Sequence, residues 1–205
     1  MSTKKIIIAG IGTEVGKTVT SAIITQKLKA DYWKPVQAGD LHQSDTIKVK
    51  NWVSNQKTTF HEEAFRLTEP MSPHAAADID GITIQIDDFK TPETDNNLVI
   101  ELAGGLLVPI NHKETNLELI QQLGLPVVLV VNFYLGSINH TLLSVSLLKT
   151  NNIPLEGLLF NGEVNAESKQ VILEMTGCKD LGTVPKIEGE ITSEIIDSHG
   201  KYIQI

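Results

Sequence analysis

KKIIIAGIGTEVGKTVTSAIITQKLKA (4–30) is the stretch that decides the fold. KKIIIAG (4–10) is apolar and β-branched without alternation, as a strand buried on both faces requires. In GKTVTSAIITQKLKA (16–30), Val19, Ile23, Ile24 and Leu28 recur at helical spacing. Between strand and helix lies AGIGTEVGKT (9–18). A glycine-rich turn in that setting points backbone N–H groups inward, and the helix start adds about half a positive charge, so the site suits phosphate. Lys17 is placed to reach β- and γ-phosphates, and the Thr18 hydroxyl to ligate Mg²⁺. The match to GxxxxGK[ST] is imperfect, because Ile11 takes the leading glycine's place between Gly10 and Gly12. The bland reading is a plain glycine-rich turn; strand, GKT and helix in order favour a nucleoside triphosphate.

Working outward, further short strands are expected at 32–36 (YWKPV), 97–105 (NLVIELAGG), 126–131 (PVVLVV), 155–160 (LEGLLF) and 180–185 (DLGTVP). Helices are expected near 42–53, 72–78, 114–123, 138–150 and 166–176. Buried strands joined by helices imply an α/β fold: a P-loop NTPase-like single domain over 1–205, with a mostly parallel doubly wound sheet and helices on both faces. The softest region, 78–97, mixes a period-two pattern with turn residues and reads as a connection carrying a short strand or helix.

Composition narrows the function classes. The 205 residues are 41% hydrophobic and 20% charged, as in ordinary globular domains. Seventeen basic against twenty-five acidic residues leave a net charge of −8, and Arg66 is the sole arginine, which argues against a nucleic-acid partner. The single cysteine, Cys178, has no partner for an internal disulfide or a thiolate zinc site. MSTKKIIIAG has too short an apolar stretch for a signal-peptide core, and LPVVLVV (125–131) falls far short of a span of about 20 residues. A cytoplasmic protein that does not cross a membrane is expected.

Three further side chains are candidates for chemistry. Glu101 ends the apolar run LVIE, where strands of an open α/β sheet meet the ligand crevice; an ordinary strand-end acid facing solvent is the alternative. Asp45, in QSDT, taken alone reads as a helix N-cap. Lys34 precedes Pro35 inside an apolar run, and either meets an anion or snorkels from a sheet edge.

Taken together these segments resemble dethiobiotin synthetase, an enzyme of biotin synthesis. GTEVGKT (12–18), WKPVQAG (33–39), SD (44–45), EPMSPH (69–74), ELAGGLLVP (101–109), LPVVLVV (125–131), LGSINH (135–140), NG (161–162) and VP (184–185) occur in that family's order along nearly the whole chain. The resemblance implies an ATP- and Mg²⁺-dependent cyclo-ligase that turns 7,8-diaminopelargonic acid and CO₂ into dethiobiotin, with ADP and phosphate as by-products. It implies that Glu14, Val15, Gly16, Lys17, Thr18 and Val19 wrap the ATP phosphates, with Leu102, Ala103 and Gly104 on the same nucleotide, and that Thr18, Asp45 and Glu101 attend the metal. Lys34 matches the lysine at the carbamate and the transferring phosphoryl, and Lys17 joins it as a catalytic cation. Asn161 matches the residue that reads adenine, with Gly162, Pro185, Lys186 and Ile187 lining the base. Ala38 falls on the substrate wall, and Gly136, Ser137, Ile138 and Asn139 form an anion site that receives the substrate carboxylate from the neighbouring subunit of a homodimer. EPMSPH reads as part of the substrate wall, or as a turn set by Pro70 and Pro73.

The sequence departs from the family pattern at four places. Ala38 stands where a hydroxyl residue is common, Leu102 where the loop usually has glycine, and Tyr134 where a basic or small residue is usual. Segment 78–97 is shorter than its counterpart. A leucine forced to positive φ at 102 would cost about 1 kcal/mol and sit near phosphate. The rivals are a deviant P-loop ATPase of the partitioning type, an amide-forming corrinoid synthetase, and a non-catalytic nucleotide-binding regulator. The first carries a signature lysine where this chain has Gly12, and the second a nucleophilic cysteine in a setting Cys178 lacks. Only Ala38 and Leu102 hint at the third.

Overall fold

The structure, a computed structural model, describes residues 3–205. In chain order its elements are β1 (Lys5–Gly10), α1 (Lys17–Leu28), β2 (Asp31–Trp33), β3 (Val36–Ala38), α2 (Asp45–Trp52), β4 (Phe60–His61), β5 (Phe65–Leu67), α3 (Pro73–Asp80), β6 (Leu98–Gly105), α4 (Asn116–Leu123), β7 (Val127–Asn132), α5 (Ser137–Thr150), β8 (Leu155–Asn161), α6 (Ala166–Thr176), β9 (Asp180–Val184) and α7 (Ser193–His199).

Seven strands make one sheet in the order β4-β2-β6-β1-β7-β8-β9, every pair parallel. Ile6, Ile7 and Ile8 of β1, Leu98, Val99 and Ile100 of β6, and Val127 to Val131 of β7 have no measurable exposure, so the middle of the sheet is covered on both faces. The step from β1 through α1 to β2 moves one way along the sheet, and the steps through α4, α5 and α6 move the other way. Right-handed crossovers put those two sets of helices on opposite faces; α1 packs with α2 and α7, and α5 with α6. The reversal falls between β1 and β7, and a crevice opens at the carboxyl ends of such strands.

The main elements lie where the sequence puts them, with corrections. YWKPV is not one strand. Pro35, which has no N–H to give a ladder, ends the sheet at Trp33; the chain then re-forms as β3, which pairs with β5 in a separate two-stranded parallel sheet. The helix expected at 42–53 begins at Asp45, after a 3₁₀ turn over Leu41–Gln43. Segment 78–97 holds the end of α3 and one 3₁₀ turn, Ile86–Asp88; its alternating apolar residues instead anchor a loop through buried Ile84 and Phe89. The short β4 and β5, and α7, carry too few apolar residues to show periodicity. Among the described residues no helix is long and apolar enough to cross a membrane.

Candidate active site

The phosphate loop hangs between β1 and α1. The N–H of Ile11 donates to Val130 O at 3.1 Å, so the ladder to β7 runs one residue past β1, and the Ile11 side chain is buried. Gly10 supplies the close approach instead: a Cβ there would lie 2.7 Å from Val15 and 2.9 Å from the Gly12 carbonyl oxygen. Gly16 caps α1 at φ 91°, a left-handed conformation, and a Cβ on it would collide with the Asn161 amide. Glu14 also takes positive φ, at 59°, and Val15 is buried. Lys17 Nζ donates to Gly12 O at 2.9 Å, folding the lysine back over the loop. Burial lowers its pKa to about 8, and Lys34 adds to that fall against the opposing pull of Glu101 and Asp45. Val19 packs on the core from α1.

Beside the loop sits a buried polar cluster. Trp33 pairs with Ile100, so the next residues along β2 and β6, Lys34 and Glu101, come side by side. Lys34 Nζ lies 3.3 Å from Glu101 Oε1 and 2.7 Å from Asp45 Oδ2, with the lysine 4% and Glu101 1% exposed. Because β2 lies inside the sheet, Lys34 is no snorkelling edge residue, and Glu101 is not a solvent-facing acid. Asp45 is not the cap of α2. Ser44 is, its Oγ accepting from the Ile47 N–H at 3.3 Å, which leaves the Asp45 carboxylate to Lys34 and to Lys48 at 3.3 Å. Burial opposes charge on Lys34 and Asp45, yet their partners win: Glu101 first and then Asp45 raise the lysine pKa, and Lys34 with Lys48 lowers the aspartate's. Thr18 Oγ1 donates to Glu101 Oε1 at 2.8 Å, joining this cluster to the phosphate loop.

Two residues to which the sequence reading assigned no role join the cluster. Gln37 accepts from the Asp45 N–H at 3.1 Å and donates to Gly39 O at 2.9 Å, fixing the start of α2. Tyr32 donates to Glu101 Oε2 at 2.9 Å. Burial, then the Glu101 charge, raises its phenol pKa well above the usual value, so it remains a donor. A signal for Tyr32 was present: it stands two residues before Lys34, and alternate residues of an extended chain share a face.

A divalent cation fits these donors by chemistry. Among the described residues no group of three or more His, Cys, Asp or Glu could cage a metal by itself. Mg²⁺ takes hard oxygens, and is usually held by one or two carboxylates together with substrate phosphates and water. Thr18, Asp45 and Glu101 supply a hydroxyl and two carboxylates, hard oxygens of the kind such a cation takes, with Lys34 and Lys48 paired to the carboxylates in its absence.

The remaining residues fall into three groups. Asn161 Nδ2 donates to Val15 O at 3.1 Å, and Gly162 N–H donates to Val184 O at 2.9 Å, which brings the NG turn beside the loop of Pro185, Lys186 and Ile187. Leu102 lies within β6, 2% exposed, with its side chain in the core; positive φ falls on Gly104, at 69°. The strain foreseen at Leu102 is therefore absent, and only its backbone is left to meet a ligand; Ala103 and Gly104 are half-buried. Ala38 ends β3, and beside it Pro70 of EPMSPH packs against Gly39, while the His74 N–H donates to Pro109 O at 3.3 Å. EPMSPH thus ties WKPVQAG to ELAGGLLVP. Gly136 caps α5, Ser137 is buried, Ile138 is half-buried and Asn139 is exposed. Among the described residues no hydrogen bond or ion pair links 136–139 to the Lys34 cluster. The Tyr134 hydroxyl bonds His140 Nδ1 at 2.7 Å and lies 4.0 Å from where a Cβ on Gly12 would be.

Similarity to known proteins agrees with this geometry. A family model described as an AAA domain matches residues 4–191. The chain is 53% identical over 191 residues to an ATP-dependent dethiobiotin synthetase BioD of Christiangramia forsetii, covering 93% of this chain and 88% of that one. It is 45% identical over 197 residues to the protein of that name from Cytophaga hutchinsonii, covering 96% and 95%. Among solved structures, a plasmid partition protein from Borrelia burgdorferi superposes with TM-score 0.57 at 16% identity, covering 98% of this chain and 97% of the other. MinD in the MinC:MinD complex of Aquifex aeolicus gives 0.56 at 13%, covering 96% and 86%. At such identities these neighbours share the P-loop NTPase-like fold alone, so they lend the partitioning-ATPase rival no functional support. The relatives that are similar in sequence along almost their whole length, together with the phosphate loop and its flanking cluster, show that the chain belongs to the family of ATP-dependent dethiobiotin synthetases.

Proposed function

We propose that this chain uses ATP and Mg²⁺ to close the ureido ring of dethiobiotin from 7,8-diaminopelargonic acid and CO₂. The observation that carries the reading is Lys34, a buried ammonium held between Glu101 and Asp45 beside the phosphate loop. One amine of the substrate attacks CO₂ and loses a proton, giving a carbamate. A carbamate oxygen attacks the γ-phosphorus and ADP leaves. The second amine then attacks the carbonyl carbon of the mixed anhydride, and phosphate and a proton depart.

Such chemistry needs position and charge more than covalent help from protein. Lys17 and the N–H groups from Glu14 to Val19 hold the phosphates. Lys34 neutralises charge that grows on the carbamate and on the phosphoryl in transfer. Asn161, Gly162 and Pro185–Ile187 take the base, and Ala38 lines the substrate. Mg²⁺, when bound, supplies charge neutralisation at the β- and γ-phosphates. Thr18, Asp45 and Glu101 are the residues that would hold it.

The distant carboxylate of the substrate goes to Gly136, Ser137, Ile138 and Asn139 of a partner copy in a cytoplasmic homodimer. The exposed Leu135 and Leu143, on either side of the α5 start, support an apolar contact there. The testing experiment supplies Mg-ATP, ¹³C-bicarbonate and the diamine. Dethiobiotin carrying one ¹³C, with one phosphate per ring and none without diamine, is the expected result. Phosphate release that ignores the diamine would point to a nucleotide-hydrolysing regulator instead.

A further inference from the structure

The two oxygens of Glu101 have different partners. Thr18 and Lys34 both address Oε1, at 2.8 and 3.3 Å. Oε2 faces inward and accepts only from the Tyr32 hydroxyl, at 2.9 Å, among the described residues. Tyr32 has no measurable exposure, and its ring lies tilted against Phe60 with centroids 6.3 Å apart. The terminal torsion of a glutamate is broad and roughly two-fold, so packing alone does not decide which oxygen points where. A donor fixed in the core decides it.

We propose that Tyr32 is a positioning residue: by holding Oε2 of Glu101 in the interior, it presents Oε1 alone to the metal and phosphate side of the site. This rests on reading Glu101 as a metal-side acid. Mg²⁺ demands near-octahedral geometry and retains waters, so it is served by a single oxygen at a fixed place better than by a carboxylate free to swing or chelate. Partners behind a ligating carboxylate are worth about 10- to 100-fold in metal affinity. The competing explanation is that Tyr32 and Glu101 merely satisfy each other in the core. That explanation predicts a change in stability with no change in metal dependence.

The test is calorimetric titration of a non-hydrolysable ATP analogue, with Mg²⁺ or with EDTA, into wild type, Tyr32→Phe, Glu101→Gln and the double variant. The quantity read is the enhancement of nucleotide affinity by Mg²⁺. Tyr32→Phe should lose about tenfold of that enhancement, while binding in EDTA stays within about twofold and certifies a folded site. Added to Glu101→Gln, it should remove nothing further. Phe60→Leu, which loosens the same ring but keeps the hydroxyl, should retain the enhancement. Full enhancement in Tyr32→Phe alongside its loss in Glu101→Gln overturns the role of Tyr32 and leaves the reading of Glu101 standing. Equal losses in Tyr32→Phe and Phe60→Leu overturn it in favour of packing. Full enhancement in Glu101→Gln removes both.

Discussion

Nζ of Lys34, the residue that follows β2, lies 3.3 Å from Oε1 of Glu101 in the neighbouring β6, their side chains only 5% and 1% exposed. A buried pair of this kind adds little to stability over an apolar pair of the same shape. Losing one member of an isolated pair strands a charge, at a cost of about 3–5 kcal/mol, but Lys34 keeps Asp45 at 2.7 Å when Glu101 is neutralised. The pair's value lies in fixed charge beside the phosphate loop. Glu101→Gln is nearly isosteric and keeps one oxygen for Thr18 or Tyr32, so the fold should survive. The Mg²⁺ concentration for half-maximal dethiobiotin formation should rise about tenfold. Far-UV circular dichroism and a Mg²⁺ titration of the rate check this, and an unaltered Mg²⁺ requirement would rule the assignment out.

Lys17 and Lys34 should fail differently. Lys17 folds over the loop through Gly12, so Lys17→Ala should weaken ATP binding as well as rate. Under the proposed function Lys34 stands where charge develops, so Lys34→Ala should depress kcat by about 10²-fold or more and change the KM for ATP little. Steady-state kinetics on both variants decide the matter; equal and mild losses would end the division of roles.

Lys17 also predicts a pH effect. In the free protein its pKa is lowered to about 8, chiefly by burial. A bound triphosphate favours the charged lysine and raises that pKa. Below pH 8 the lysine is already protonated and affinity is at its full value. Above pH 8 binding must take up a proton, so affinity should fall by about tenfold per pH unit until the pKa of the complex is reached. Calorimetry in two buffers of different ionisation enthalpy should show proton uptake at pH 8.5 in wild type and none in Lys17→Ala. No uptake in wild type would mean that Lys17 does not meet the phosphates as a cation.

The fold was legible wherever a strand was buried on both faces. Ile6–Ile8 and Val127–Val131 read as strands because nothing polar interrupts them. β4 and β5 were hidden because two or three residues hold no period, and Pro35 alone did not show that the chain leaves one sheet for another. In the site, the phosphate loop was plain from GKT in context. Lys34, Glu101 and Asp45 were each ambiguous singly, since a lysine in a strand or an aspartate after a serine has a bland explanation. Their pairing needs the β2–β6 register and the Ser44 cap, which are tertiary and local facts no spacing encodes. The fear of strain at Leu102 failed for the same reason: the turn that needs positive φ begins two residues later, at Gly104.

Residues 136–139 make no hydrogen bond or ion pair with the Lys34 cluster within one chain, among the described residues, and under the proposed function the far end of the substrate goes to that segment of a second copy. Mixing Asn139→Ala with Lys34→Ala protein should restore about a quarter of wild-type activity at statistical exchange, since half the dimers are mixed and each regains one of two sites. Activity of the mixture no higher than the mean of the two variants, or a fully active monomer in sedimentation, would refute completion in trans.

The most direct measurement is a crystal structure of the protein with Mg²⁺ and an ATP analogue. The metal should lie within ligand distance of Thr18 Oγ1, with Glu101 and Asp45 bound to it directly or through one water, and with Lys34 Nζ turned toward the γ-phosphate. Nucleotide and metal in place, with Glu101 still closed on Lys34 and no water joining it to the phosphates, would contradict the account.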